Sequence, residues 1–273
     1  MSDTANEAQR RQWNDDIRLT TWLRREPLTA AVTATLLQHA ALASGQRVLD
    51  VGCGGGRTTI AAAGELAPGG TALGADISAP LVQLARQRAG TAGVSNARFT
   101  VADVQTARLD EAPFDAAISQ FGVMFFDDAA EAFANIRDHL RPGGRLTFVC
   151  WQAMADNPWF PDLAIRPFTP PAPEPRPGTN ATGPFTLADP GYTAGVLEAA
   201  GWTAIERTHY NQAVAVKREV IAYDNSYLRF LGVADDRLPE AQAAATRHLA
   251  SLRRDDGRYD AQLAFQIFTA TRN

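Results

Sequence analysis

The stretch VLDVGCGGGRTTIAAA, Val48 to Ala63, decides the fold. The apolar run RVLDV (47–51) ends on glycines at 52, 54, 55 and 56, and a run of small residues follows at once. A short continuous apolar run bounded by glycines reads as a strand buried on both faces, the kind found in parallel sheets. TTIAAAGEL then reads as a helix. The glycines between them leave the backbone without side chains where the chain turns. Such a turn either adopts conformations closed to other residues or approaches something closely.

Working outward, strand and helix patterns alternate. TALGADI reads as a second strand and SAPLVQLARQRAG as a helix with Ser78 as its N-cap. ARFTVAD is a third strand and FDAAISQF a fourth, followed by a helix over 129–140. GRLTFVCW is a fifth, entered through a turn at Pro142-Gly143-Gly144. This alternation predicts an α/β fold with a doubly wound, parallel sheet. Residues before about 44 read as helices, with Ala30–Ala43 rich in Ala and Leu and Gly45 as the stop. From Gln152 the pattern breaks into RPFTPPAPEPRPGTNATGPF, a long loop or extended cover of the kind that is usually functional or partly disordered. YTAGVLEAAGW then reads as a helix closed by Gly201, TAIERTHY as a strand, and 217–256 as mostly helical with breaks near Gly232 and Pro239. QLAFQIFTATR reads as a last long strand. The expected organisation is one domain in four parts: helices over 1–44, a core over 45–151, a Pro-rich lid over 152–188, and the rest of the sheet with a helical insertion over 189–273.

Composition sets limits on partners. The 273 residues are 45% hydrophobic and 21% charged, with a net charge of −4, which argues against the basic footprint that non-specific nucleic-acid binding needs. Cys53 and Cys150 are the only cysteines and make no disulfide framework, which fits a reducing compartment. The opening MSDTANEAQRRQW lacks the basic start and apolar core of a signal peptide, and no apolar run is long enough for a bilayer span. A cytoplasmic location, with no membrane partner, is therefore expected.

Three readings compete for the glycines. A phosphate-cradling loop needs a lysine after them, and none is present. A dinucleotide fingerprint needs a third glycine where Arg57 or Thr59 stands. The pattern that matches is D-x-G-x-G-x-G, on Asp50, Gly52, Gly54 and Gly56. It resembles the first motif of class I S-adenosylmethionine-dependent methyltransferases. A ligand with an amino-acid tail can lie against such a loop only where side chains are missing, and Asp50 can reach its ammonium.

The resemblance implies further residues. Asp76, at the end of the second strand, would hold the ribose hydroxyls, with Ile77 on an adenine face. Asp103 would face the adenine amino group, and Val104 would offer an adjacent backbone N–H. Cys53 of the loop, and Ser119 and Gln120 at the end of the fourth strand, complete the expected cofactor set. The segments FGVMFF, NPW and GPF (Phe121–Phe126, Asn157–Trp159, Gly183–Phe185) are similar to those of bacterial small-molecule methyltransferases. The family's fold implies a mostly parallel, seven-stranded Rossmann-like sheet with an antiparallel last strand. Its chemistry implies S-adenosylmethionine as cofactor and S-adenosylhomocysteine as product, with direct in-line transfer to a small apolar or aromatic O- or N-acceptor.

Aromatic residues mark the expected acceptor pocket: Trp13 and Trp22 in the N-terminal helices, Phe121, Met124, Phe125 and Phe126 after the fourth strand, and Trp151 and Trp159 flanking the start of the lid. A nucleic-acid acceptor is not expected. The N-P-P-Y motif that stacks a flipped adenine is replaced after the fourth strand by Ser119-Gln120-Phe121-Gly122. Of the histidines His39, His139, His209 and His248, His209 is the candidate general base, should the acceptor hold a proton at neutral pH. No metal-ligand pattern is present. The oligomeric state is expected to be a monomer or a homodimer. A non-catalytic S-adenosylmethionine-binding scaffold or regulator remains the alternative.

Overall fold

The computed structural model describes residues 6–171 and 182–273. Two helices lead, α1 (Glu7–Trp13) and α2 (Asp16–Ala40), followed by β1 (Arg47–Val51), α3 (Arg57–Glu65), β2 (Thr71–Asp76), α4 (Ala79–Thr91), β3 (Ala97–Val101), β4 (Phe114–Gln120), α5 (Ala129–Asp138) and β5 (Leu140–Trp151). The second half adds α6 (Asp162–Ile165), α7 (Pro190–Ala199), β6 (Thr203–Val216), α8 (Arg218–Ile221), α9 (Asn225–Phe230), α10 (Leu238–Ala250) and β7 (Tyr259–Thr271). The seven strands form one sheet in the order β3-β2-β1-β4-β5-β7-β6. The first five run parallel, and β7 is antiparallel to both β5 and β6, as expected. Strand order reverses between β1 and β4. In an open α/β sheet the carboxyl ends of the strands at that point border the ligand crevice.

β1 forms because its apolar run can be covered on both faces: Val48, Leu49, Asp50 and Val51 are buried. α2 covers one face with Leu28, Val32 and Leu36, all fully buried, each worth about 1.5–3 kcal/mol of transfer free energy. Phe133, Phe148 and Phe268 pack in a row within the same core, with ring centroids 5.3 and 5.4 Å apart. A satellite core holds Ile165, Tyr223, Tyr227, Leu228, Leu238 and Ala241, joining α6 to the α8–α10 insertion.

The helix ends follow local chemistry. Ser78 caps α4 by accepting from the Leu81 amide, and its hydroxyl donates to the Trp13 carbonyl at 2.7 Å, which ties α1 to the corner after β2. Asp15 caps α2 through the Ile17 and Arg18 amides.

Some expected boundaries shift. α2 spans Asp16–Ala40 and continues through Pro27, ending with Ala41 in the left-handed region instead of at Gly45. Burial of its C-terminal half holds it together where the proline removes one backbone donor. The expected turn at Pro142-Gly143-Gly144 lies inside the span of β5 as an irregularity, with Gly143 at φ +77 and the register with β4 shifting between Phe114 and Ala116. The described flanks of the lid are not open loop. Trp159 and Phe160 are buried and α6 follows, while residues 172–181 lie outside the described residues. No helix among the described residues is long and apolar enough to cross a membrane.

Candidate cofactor and acceptor site

The glycine loop sits at the β1 tip, and its backbone explains its residues. Gly52, Gly54 and Gly56 all have positive φ, at +68, +51 and +82. A Cβ on Gly52 would meet the Gly122 Cα at 2.7 Å, and one on Gly54 would meet the Trp22 indole at 2.8 Å. Both space and dihedral therefore require glycine there. The loop is also pinned from within. The Gly52 and Cys53 amides both donate to the Ala75 carbonyl, at 2.8 and 3.1 Å, and the Gly54 amide donates to Asp76 Oδ2 at 2.8 Å.

Asp50 lies under this loop, 1% exposed. Its Oδ2 accepts the Thr59 hydroxyl at 2.6 Å, while Oδ1 has no partner. Burial pushes its pKa up to about 7, and the neighbouring Asp76 charge adds to the rise. Asp76 is raised as well, by burial, against the pull of the Ser78, Gly54 and Ile77 amides. A bound cation beside the loop would favour the ionised form of both. Burial likewise pushes the Cys53 thiol far up, so Cys53 keeps its proton and serves as a small loop residue.

Asp103, after β3, is held by the N-terminal segment. Its Oδ1 accepts from Asn6 Nδ2 at 2.8 Å and from the Gln105 amide at 3.0 Å. Asn6 is itself 2% exposed and exchanges two hydrogen bonds with Asp127, one from its amide to Oδ2 and one to its side-chain carbonyl from the Asp127 amide. The chain entering α1 thus closes over the Asp103 corner, a contact the sequence did not signal.

These tips border a cavity of about 400 Å³, within the range of small-molecule sites. Gly52, Cys53, Gly54, Asp76, Ile77, Asp103, Val104 and Gln120 line it, as do Met124 and all the expected aromatic residues: Trp13, Trp22, Phe121, Phe125, Phe126, Trp151 and Trp159. Phe121, at φ +61, stacks on Trp151 with ring centroids 4.0 Å apart. Trp13 meets Phe125 edge-on at 5.1 Å.

Four expected cofactor contacts take other roles. Asp50 and Gly56 support the loop from behind and do not line the cavity. Ser119 is fully buried and donates to the Val51 carbonyl at 2.7 Å, fastening β4 to the glycine loop. Gln120 lines the cavity, but its amide is spent on α2: Oε1 accepts from Thr33 at 2.8 Å and Nε2 donates to the Thr29 carbonyl at 3.2 Å.

His209 is a correction. It lies on the sheet's edge strand β6, paired with Gln266, with an exposed side chain, and it is absent from the cavity wall. β6 runs on to Val216, so His209 is mid-strand and not at a strand tip. The other histidines are committed elsewhere: His39 to the Tyr210 hydroxyl at 2.6 Å, His139 to the Asn135 carbonyl and the Leu109 amide, His248 to the Pro158 carbonyl. No group of three or more His, Cys, Asp or Glu among the described residues is placed to hold a metal ion.

Of the opposite wall, sequence reasoning found only Trp22. One face of α2 presents Arg18, Thr21, Trp22, Arg25, Glu26 and Thr29 to the cavity, a helical stripe at spacings of three and four. Asp162, Tyr223 and Tyr227 face it from α6 and the insertion. Glu26 is 8% exposed and forms a bidentate pair with Arg88 at 2.6 and 2.8 Å, which locks α2 onto α4 beside the loop.

The residues present fit an adenosyl-amino-acid ligand: a loop on which Cβ atoms have no room, a buried carboxylate with an unpartnered oxygen beneath it, and acids at two neighbouring strand tips. Comparison with known proteins agrees. Residues 48–144 match the family described as "Methyltransferase domain". The chain is 35% identical over 105 residues to aklanonic acid methyltransferase of Streptomyces sp. (strain C5), covering 38% of this chain and 48% of that protein. It is 27% identical over 176 residues to nocamycin O-methyltransferase of Saccharothrix syringae, covering 60% and 62%. The chain thus spans about half of the length of the curated relatives it matches. The fold is similar to that of the YcgJ protein from Bacillus subtilis, with a TM-score of 0.61 at 16% identity over 89% of this chain and 98% of that one. Over residues 48–144 this chain is similar to the methyltransferase domain, which supports the resemblance of its motifs to class I S-adenosylmethionine-dependent methyltransferases.

Proposed function

We propose that the protein transfers a methyl group from S-adenosylmethionine to a small apolar or aromatic molecule by direct in-line displacement. The observation that carries this reading is the continuity of one cavity. Its wall runs from Gly52–Gly54, Asp76 and Asp103 to the aromatic surface of Phe121, Trp151 and Trp159. The chemistry supplied by the bound cofactor is an electrophilic methyl group, already activated by the sulfonium charge. What this chain adds is alignment and exclusion of water.

Each part has a task. Gly52 and Gly54 give the amino-acid tail an approach to bare backbone, and Asp50 supplies negative charge beneath it. Asp76 has two oxygens, each with one amide bond and further acceptor capacity, which suits ribose hydroxyls. Ile77 and Val104 offer apolar contact on either side of the adenine, with Asp103 at its amino edge. Phe121 and Trp151 present a stacked platform for a flat acceptor. No histidine is among the described residues lining the cavity; an acceptor that reaches it already deprotonated needs no general base. The names of the aklanonic acid and nocamycin enzymes support a small-molecule acceptor.

The test is release of S-adenosylhomocysteine from S-adenosylmethionine in the presence of a panel of aromatic carboxylic acids, phenols and amines. Turnover with aromatic members of the panel is expected. Tight cofactor binding with no product from any acceptor would leave a binding protein and overturn the enzymatic reading.

A further inference from the structure

Two arginines of α2, Arg18 and Arg25, line the cavity. On α2, Arg25 stands with its guanidinium carbon 4.6 Å from the Tyr223 ring centroid and 5.3 Å from that of Tyr227. Its Nε and Nη2 are buried and have no hydrogen-bond partner. About two turns earlier, Arg18 donates Nη1 to the Tyr227 hydroxyl at 2.9 Å and lies 4.4 Å over the Trp13 ring, and its Nε is also buried and unpartnered. The nearby acids are engaged. Glu26 is paired with Arg88 and approached by Arg57 at 3.5 Å, and Asp162 accepts the Tyr223 hydroxyl. Among the described residues neither Arg18 nor Arg25 forms an ion pair with a carboxylate.

Burial disfavours the Arg25 cation, but Tyr223, Tyr227 and the Asp162 charge favour it by more. What remains unmet is hydrogen bonding: Nε and Nη2 have no acceptor, and a buried N–H donor without one is costly. The planar fork of arginine matches a carboxylate through two parallel hydrogen bonds, and the two free donors of Arg25, Nε and Nη2, are the pair that forms such a fork. Arg25 lines the same cavity as Phe121, Trp151 and Trp159.

We infer that Arg25 anchors a carboxylate of the methyl acceptor, which is therefore an apolar or aromatic acid. Its anion sits between α2 and α9, and its flat body lies against Phe121, Trp151 and Trp159. Arg18 and Tyr227 position the anchor and add positive potential. The inference rests on the cavity being a combined cofactor and acceptor site. It assigns the acceptor's charge and end-to-end orientation, not which of its atoms is methylated.

The test compares matched acids and neutral amides on the full chain by titration calorimetry, with S-adenosylhomocysteine titrated separately. The probes are 2-naphthoate with 2-naphthamide, and anthraquinone-2-carboxylate with its amide. The intact protein should bind at least one acid ten-fold or more tighter than its amide. Arg25→Gln should reduce that preference to within about two-fold, Arg25→Lys should keep part of it, and S-adenosylhomocysteine affinity should stay within two-fold in both. No acid preference for either probe pair, or a preference undiminished in Arg25→Gln, would each overturn the assignment. Failure of S-adenosylhomocysteine to bind alongside a retained acid preference would refute the cofactor reading and leave the anion anchor standing.

Discussion

Asp50 offers the most quantitative test of how the glycine loop treats its ligand. Its carboxyl is fully enclosed, receives one hydrogen bond from Thr59 and leaves Oδ1 without a partner. Burial raises its pKa from 3.8 to about 7. A ligand that brings an ammonium to the loop binds the ionised form, so below pH 7 binding must expel a proton. Affinity then falls by up to tenfold per pH unit. Between pH 7.5 and 5.5 the loss for a single such group is roughly 25-fold, on the order of 2 kcal/mol. The assay is calorimetric titration of S-adenosylhomocysteine at both pH values in buffers of different ionisation enthalpy. The wild type should release close to one proton per site at pH 5.5 and far less at pH 7.5. Asp50→Asn should bind more weakly at pH 7.5 and lose most of the pH slope. The remainder belongs to Asp76, whose carboxyl is also raised. The unliganded protein should show the matching stability trend. A carboxyl with a raised folded pKa stabilises the fold below its unfolded value, and that stability is lost as pH climbs from 3.8 to about 7. The ceiling on that loss is about 4 kcal/mol. Equal affinity at both pH values, no proton release and wild-type binding by Asp50→Asn would refute the role of Asp50 as the counter-charge beneath the ligand.

Other substitutions probe separate parts of the site. Asp76→Ala removes the acceptor for two backbone amides and the expected ribose contact, so S-adenosylhomocysteine binding should weaken by about 1–3 kcal/mol in titration calorimetry; unchanged affinity would count against the ribose assignment. Gly54→Val places atoms where the Trp22 indole already sits, at a φ of +51, and should abolish cofactor binding while far-UV circular dichroism shows the fold retained. Normal turnover by that variant would dismiss the loop as the cofactor cradle. His209→Ala should keep turnover within about two-fold, since the side chain faces solvent on β6; a hundred-fold loss would restore it as a base.

Much of the core was legible because its pattern is local. The run at Val48–Val51, the glycines after it, and acids closing β2 and β3 are read from a single segment, and the sheet places them side by side. α2 was read only in part. Pro27 argues locally against a continuous helix, yet burial of Leu28, Val32 and Leu36 carries it through. The Pro142-Gly143-Gly144 turn is present, but within the span of β5, where residues 141–144 have no partner on β4. His209 was misplaced because the strand reading stopped at Tyr210, whereas long antiparallel pairing with β7 extends β6 to Val216. The cationic wall was invisible because Arg25, Asp162, Tyr223 and Tyr227 are distant in sequence and meet only when α2 folds across the sheet. Its one local trace was the stripe from Arg18 to Thr29, polar and aromatic residues at helical spacing on a face that turns inward.

The central claim is that the crevice from Gly52 to Asp103 holds an adenosyl-amino acid. A crystal structure of the complex with S-adenosylhomocysteine tests it most directly. The account predicts the amino-acid tail against Gly52–Gly54, the ribose hydroxyls on Asp76 and the adenine between Ile77 and Val104, with the sulfur facing Phe121. Density for the ligand elsewhere, or an empty crevice at saturating ligand, would contradict it.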